Sequence, residues 1–269
     1  MKAFCYRGAV QVDLSKRTVI VTGAGRGIGA EIARMAGAAG GNVVLASRTE
    51  EQIAAIADEI RSGGGNALVV PTDIVDAEAC QALIEAAKSE YGQIDALVNN
   101  AGTNLVATLI SSREEQWREL YDLNVFATFR LTRLAVRQMI RAKWGRVVNI
   151  SSVSEKVGAA YNSAYASSKA AINAFTRSVA LETAQLGITV NSVCPWHVDT
   201  ELLHFGMGRR GKIFGDSAED YIEQIAQTSP QKRLVTAHEV ASMAIFLLSD
   251  HASGITGQSI NVSGGAVMQ

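Results

Sequence analysis

Thr18-Val-Ile-Val-Thr22-Gly23-Ala24-Gly25-Arg26-Gly27-Ile28-Gly29 is the stretch that decides the fold. Residues 18–22 form a short β-branched run, which favours a strand. The run enters a glycine-rich turn. The Ala-rich segment Ala30 to Ala39 follows, with the helical spacing Ile32, Met35, Ala36, Ala39. A strand that passes through glycines into a helix has a chemical use. The first N–H groups of a helix lack intrahelical acceptors and sit at the positive end of its dipole, so they attract an anion such as a pyrophosphate. Glycines let that anion approach the backbone.

Outward from this turn, strands and helices alternate. Asn42 to Ala46, Ala67 to Val70, Ala96 to Val98, Arg146 to Ile150, Thr189 to Val193 and Gln258 to Val262 read as strands. Thr49 to Ile60, Ala77 to Tyr91, about Arg113 to Arg141, Ser163 to Gln185 and His238 to Leu248 read as helices. The strands are continuous apolar runs without alternation, as strands buried on both faces are. The order predicts an α/β fold: one Rossmann-like, doubly wound parallel sheet flanked by helices on both faces. The domain is expected over 16–269, with residues 1–15 as a peripheral extension. The stretch 199–234, rich in Gly, charge and Phe, breaks the regular pattern and reads as a mobile flap over a site.

Composition narrows the function classes. Of 269 residues, 48% are apolar and 19% charged, which suits a packed core rather than a disordered chain. Lys plus Arg is 25 and Asp plus Glu 26, a net charge of −1 that argues against a nucleic-acid partner. Cys5, Cys80 and Cys194 stand far apart and form no zinc or disulfide pattern, so no metal is expected. No apolar run approaches the ~18–20 residues of a membrane helix, and residues 1–17 lack a signal-peptide core. These readings together predict a cytoplasmic protein without a membrane partner.

Tyr165-Ala-Ser-Ser-Lys169 places two chemistry-bearing residues four apart, on one helical face. A phenol with its ordinary pKa of about 10 is a poor acid or base at neutral pH, and a nearby ammonium favours the phenolate. Such a pair can move a proton to or from a carbonyl oxygen. Ser152 stands at the end of the strand Arg146 to Ile150, where ligands bind in parallel sheets and where a hydroxyl can hold a developing oxyanion. Ser151 is its rival. Asn124 lies inside a helical stretch, where Asn is a poor helix former.

The spacing Gly23-x-x-x-Gly27-x-Gly29, the run Asn99-Asn100-Ala101-Gly102, the pair Ser151-Ser152 and the motif Tyr165-x-x-x-Lys169 together resemble the short-chain dehydrogenase/reductase family, over about residues 17–265. The general pattern is most similar to 3-oxoacyl-thioester reductases and related ketoreductases. The resemblance implies a nicotinamide cofactor and a catalytic set of Asn124, Ser152, Tyr165 and Lys169. Tyr165 exchanges the proton, Lys169 lowers its pKa and bonds the nicotinamide ribose, Ser152 positions the carbonyl, and Asn124 bends its helix and holds a relay water. It further implies cofactor contacts from Gly23, Arg26, Gly27, Ile28 and Gly29, from Asp73 and Ile74 at the adenine, and from Asn100, Ala101 and Gly102. Pro195, Val198 and Thr200 are implied at the carboxamide. A homotetramer built on the long helices follows from the same resemblance.

Two features modify this picture. The second strand ends Ala46-Ser47-Arg48, with no carboxylate where NAD-binding folds place one for the ribose hydroxyl. Arg48 and Arg26 with Ser47 suit a 2′-phosphate, so NADP(H) is expected over NAD(H). Trp196 stands where the family has Gly after Pro195. Trp196 and His197 either wall a substrate pocket or pack outward. The basic run Gly208-Arg209-Arg210-Gly211-Lys212 can meet the phosphate of a coenzyme A or acyl-carrier thioester, a substrate carboxylate, or solvent alone. The expected function is NADPH-dependent reduction of a small-molecule ketone. The alternatives are a catabolic alcohol dehydrogenase acting on a cyclic or hydroxy-acid substrate, and a non-catalytic dinucleotide sensor. Arg48→Ala is expected to cut the preference for NADPH over NADH by about tenfold, the worth of one charge-assisted contact. An unchanged ratio of the two dissociation constants would remove Arg48 from this role.

Overall fold

Along the first strand, β1 (Thr18–Thr22), Val19 and Val21 enter one hydrophobic layer and Ile20 the other. Both layers are fully buried, which is why the strand carries no polar alternation. The computed structural model describes residues 11–214 and 217–269, except the side chains of Phe205 and residues 209–214. Side chains of the basic run at Arg209, Arg210 and Lys212 thus lie outside the described residues, as do residues 1–10 with Cys5.

The remaining strands are β2 (Asn42–Ser47), β3 (Asn66–Pro71), β4 (Ala96–Asn99), β5 (Gly145–Ile150), β6 (Ile188–Pro195) and β7 (Ser259–Val262). All neighbours pair in parallel, in the order β3-β2-β1-β4-β5-β6-β7. Helices α1 (Gly27–Ala38), α2 (Glu50–Ser62) and a late helix at Ala237–Leu248 cover one face. Helix α3 (Ala77–Tyr91) and the helices at 127–142 and 163–183 cover the other. The winding reverses between β1 and β4, and a crevice opens there at the strand C-termini. This is the expected doubly wound α/β sheet. Of the expected extension, the described part contributes Leu14 to the core, with its N–H bonded to Ala39 O.

Two elements differ from expectation. The helix expected over Arg113 to Arg141 is three pieces: α4 (Glu114–Tyr121), a π-helical turn at Asp122–Phe126, and α5 (Ala127–Ala142). Asn124 sits in the π turn, whose widened backbone releases its side chain to bond outside the helix. The stretch 199–234 is not irregular: it folds into α7 (Glu201–Phe214) and α8 (Ala218–Thr228). Ser217 caps α8 by accepting from Asp220 N. A parallel bridge between Val198 and Val235 joins the two ends of this excursion. α6 (Ser163–Thr183) and α9 (Ala237–Leu248) complete the fold, α9 held by a capping box of Thr236 and Glu239.

A buried polar chain crosses the strand ends. Asn99 Nδ2 donates to Thr132 Oγ1 at 3.0 Å and to Asn149 Oδ1 at 2.8 Å. Asn149 Nδ2 donates to Thr176 Oγ1 at 2.8 Å, and Thr176 shares a 2.8 Å bond with Ser192. These links tie β4, β5 and β6 to α5 and α6. Asn149→Ala is expected to cost about 1–3 kcal/mol in urea unfolding, because the Asn99 and Thr176 side chains lose a buried partner. A loss below about 0.5 kcal/mol would contradict that reading.

Candidate active site

The glycine turn is shaped by close approach. A Cβ on Gly29 would lie 2.2 Å from Gly23 O and 2.4 Å from Asn100 Nδ2. Gly27 has φ +55°, a conformation that L side chains rarely adopt. Asn100 locks the turn from the next strand, its Nδ2 donating to Thr22 O and Gly23 O. Thr22 Oγ1 accepts from Asn100 N and Ala101 N in return. Asn100 is therefore a brace for the turn. The N-cap of α1 is Arg26, which makes no side-chain cap, and the first turn holds no acidic residue. These free N–H groups suit an anion.

One cavity gathers most of the expected cofactor positions: Gly23, Arg26, Gly27 and Ile28 on one side, Ser47, Arg48, Asp73 and Ile74 on another, and Asn100, Ala101, Gly102 and Thr200 between. Gly29 does not line it and instead packs behind the turn. Arg48 makes no polar contact with another described residue. Arg26 pairs with Glu201 at the start of α7, an exposed ion pair of the kind worth only about 0–1 kcal/mol. Asp73 Oδ1 accepts from Val75 N, closing a turn beneath the cavity.

A second cavity, of about 270 Å³, continues from the first and shares Ile28, Asn100, Gly102 and Thr200 with it. Ser152, Tyr165, Lys169, Pro195, Val198 and Thr200 all line it. Tyr165 and Lys169 lie on one face of α6, with Nζ 5.6 Å from the phenol ring centre. Lys169 Nζ donates to Ile150 O at 2.9 Å, the last carbonyl of β5. Burial pushes its pKa down to about 8. Burial also pushes the Tyr165 phenol up, against the opposing pull of a hydrogen bond with Ser152. The bond to Ile150 O directs the Lys169 ammonium, which stands beside the Tyr165 ring.

The two serines separate clearly. Ser151 Oγ donates to Lys169 O at 3.2 Å and so fastens β5 to α6. Ser152 caps the following turn by accepting from Ser154 N at 3.1 Å and keeps its bond with Tyr165. Asn124 does not line either cavity. Its Oδ1 accepts from Thr103 N at 2.9 Å, and its Nδ2 donates to Thr103 O and to Ser168 Oγ. Ser168 Oγ donates on to Tyr165 O at 2.7 Å. Thr103 and Ser168 are positioning residues that the sequence reading missed. Polar residues at the inward positions 168, 169, 173 and 176 of α6 were the available signal.

Trp196 and His197 wall this cavity. Trp196 is outside the positive-φ backbone positions, so the loop does not demand the glycine that the resemblance implies there. Its N–H donates to Val262 O at 3.1 Å, and its ring packs against Val153, Cys194 and Val267. Cys194 and Cys80 are buried free thiols. Among the described residues, no helix is long and apolar enough to cross a membrane.

Comparison with known proteins agrees with this arrangement. A family model described as short chain dehydrogenase matches residues 17–206. D-beta-hydroxybutyrate dehydrogenase of Rhizobium meliloti is 33% identical over 256 residues, covering 94% of this chain and 99% of that protein. The 3-oxoacyl-acyl-carrier-protein reductase FabG of Escherichia coli is 32% identical, covering 96% of this chain and all of its own length (100%). A crystal structure of an actinorhodin polyketide ketoreductase variant with NADPH superposes with a TM-score of 0.90 at 34% identity, covering 93% of this chain and 97% of that one. A trough that runs from a braced glycine turn to a face bearing Tyr165 and the buried Lys169, in a chain with these relatives, makes this protein an oxidoreductase of the short-chain dehydrogenase family.

Proposed function

We propose that this protein is an NADPH-dependent reductase that converts a ketone into a secondary alcohol. The observation that carries this reading is the one cavity in which Ser152, Tyr165 and Lys169 meet, with the half-buried Tyr165 hydrogen-bonded to Ser152. A phenol there can give the proton that reduction of a ketone requires. The 3-oxoacyl reductase and the polyketide ketoreductase among the relatives support the ketone class.

The trough fits a dinucleotide phosphate. The uncapped α1 N-terminus, the space that a Cβ on Gly27 would fill, and the exposed Arg48 beside Ser47 make an anion site with no carboxylate on β2. Arg48 would hold the 2′-phosphate, with Arg26 released from Glu201 as a second cation. Pro195, Val198 and Thr200 would hold the nicotinamide end. When bound, the cofactor supplies a hydride to the carbonyl carbon.

The chain's own residues do the rest. Ser152 and Tyr165 hold the carbonyl oxygen by hydrogen bonds that strengthen as negative charge develops there. Tyr165 Oη then gives up its proton to that oxygen. Lys169, still a cation below a pH of about 8, stabilises the phenolate that remains. Asn124 fixes the Gly102–Thr103 backbone and, through Ser168, the Tyr165 carbonyl. The exposed Phe126, Phe129 and Leu181 on the helices around α5 and α6 support self-association into a homotetramer.

Tyr165→Phe is expected to keep NADPH affinity within about twofold and to lower kcat by about 10²–10⁴, the usual worth of a positioned proton donor. Retained turnover would remove Tyr165 from this role. The reduction should also show a pH limb set by Lys169. Its cation persists below a pH of about 8 and is lost above it, so kcat/KM is expected to be level up to there and then to fall. A profile still level two pH units higher would contradict this assignment.

A further inference from the structure

The substrate end of the cavity carries almost no charge. Among the described residues lining it, Lys169 is the only Lys, Arg, Asp or Glu, and its ammonium is bonded to Ile150 O. The lining includes the aromatic and apolar Trp196, His197, Tyr161, Tyr221 and Met207, with the uncharged polar side chains of Asn104 and Asn162 beside them. Trp196 and His197 form a fixed pair. Their ring centres are 4.8 Å apart and the planes meet edge-on at 72°. Packing on Val153, Cys194 and Val267 holds the indole, and Val235 N donates to His197 O at 3.0 Å to hold the next backbone unit. Burial pushes the His197 imidazole down to about 4. At neutral pH it is therefore uncharged and presents one donor and one acceptor nitrogen. Neither nitrogen bonds another described residue.

Such a wall discriminates by what it fails to offer. A carboxylate that enters gives up its water and meets no free cation among the described residues, and that desolvation is not repaid. A flat apolar ring gains buried area, and it can add edge or face contacts to two rings already held in place. We propose that the substrate is a neutral cyclic or aryl-fused ketone, and that Trp196 and His197 are the specificity-determining residues that select it over acyclic 3-oxo acids and thioesters. This rests on the ketone-reductase reading given above. Trp196 shapes the ring slot, and His197 stands edge-on to the indole beside it.

The test is kcat/KM with NADPH for 2-tetralone, acetoacetate and an acetoacetyl thioester, together with the dissociation constant of NADPH. The expected result is that 2-tetralone exceeds each of the others by at least about tenfold, as the loss of one well-made apolar or polar contact allows. Trp196→Ala is expected to raise KM for 2-tetralone by about tenfold with the NADPH dissociation constant unchanged. Trp196→Phe, which keeps an aromatic wall and core packing, is expected to restore most of the loss and guards against a folding defect in the alanine variant. Acetoacetate or the thioester reduced as well as 2-tetralone overturns the substrate class while leaving the reductase reading in place. NADPH binding without turnover of any of the three overturns both.

Discussion

Helix α6 lies on the sheet through a polar seam, and the geometry of the site depends on it. Lys169 Nζ reaches Ile150 O, Ser151 reaches back to Lys169 O, Asn173 Nδ2 meets Cys194 Sγ, and Thr176 joins Asn149 to Ser192. These groups are buried, so losing any one partner leaves a polar atom without water. That penalty fixes the rotation and the height of α6 against β5 and β6. An apolar seam would allow the helix to slide, because hydrophobic contact has no direction. Tyr165 stands one turn above Lys169 on the same face, so the seam also sets where its hydroxyl meets Ser152.

The other half of the trough is built on an equivalent constraint. Asn100 and Thr22 exchange hydrogen bonds between β4 and β1, and Gly29 lets the turn close to within contact of Asn100. Asn99 and Asn100 thus serve two ends of one crevice: one side chain faces the α6 seam, the other the glycine turn. The strand register places both at the C-terminal edge of the sheet, Asn99 opposite Asn149. Thr200 spans the two cavities, its methyl group facing Gly27 and its hydroxyl donating to Val198 O. Together these contacts join an anion site and a proton donor in one continuous cleft.

Features that depend on local spacing were legible in the sequence. The strand–glycine–helix unit, the i and i+4 placement of Tyr165 and Lys169, and the doubly buried strands follow from periodicity within a few residues. Features that depend on distant partners were not. Arg26 meets Glu201, 175 positions away, and no local pattern announces that. Trp196 packs against Val153 and Val267, residues 43 and 71 positions away in the sequence, so no local pattern sets its orientation. Residues 199–234 look irregular because Gly206, Gly208 and Gly211 weaken the helical signal, yet the segment folds as helix against the site, where Gly206 is buried over Asn104. The surroundings of Tyr165 are hidden for the same reason: spacing reveals the neighbouring lysine, whereas burial is a property of the whole fold.

At the strand edge a half-buried phenol, the Ser152 hydroxyl bonded to it and the buried Lys169 stand together. The central claim is that hydride from the cofactor and the Tyr165 proton end on the same carbonyl group. It is tested most directly by supplying NADPH with deuterium at both C4 positions of the nicotinamide and analysing the product by mass spectrometry and NMR. The account predicts one alcohol formed per NADPH consumed, with a single deuterium on the carbinol carbon. NADPH loss without labelled alcohol, or label found elsewhere in the product, would contradict it.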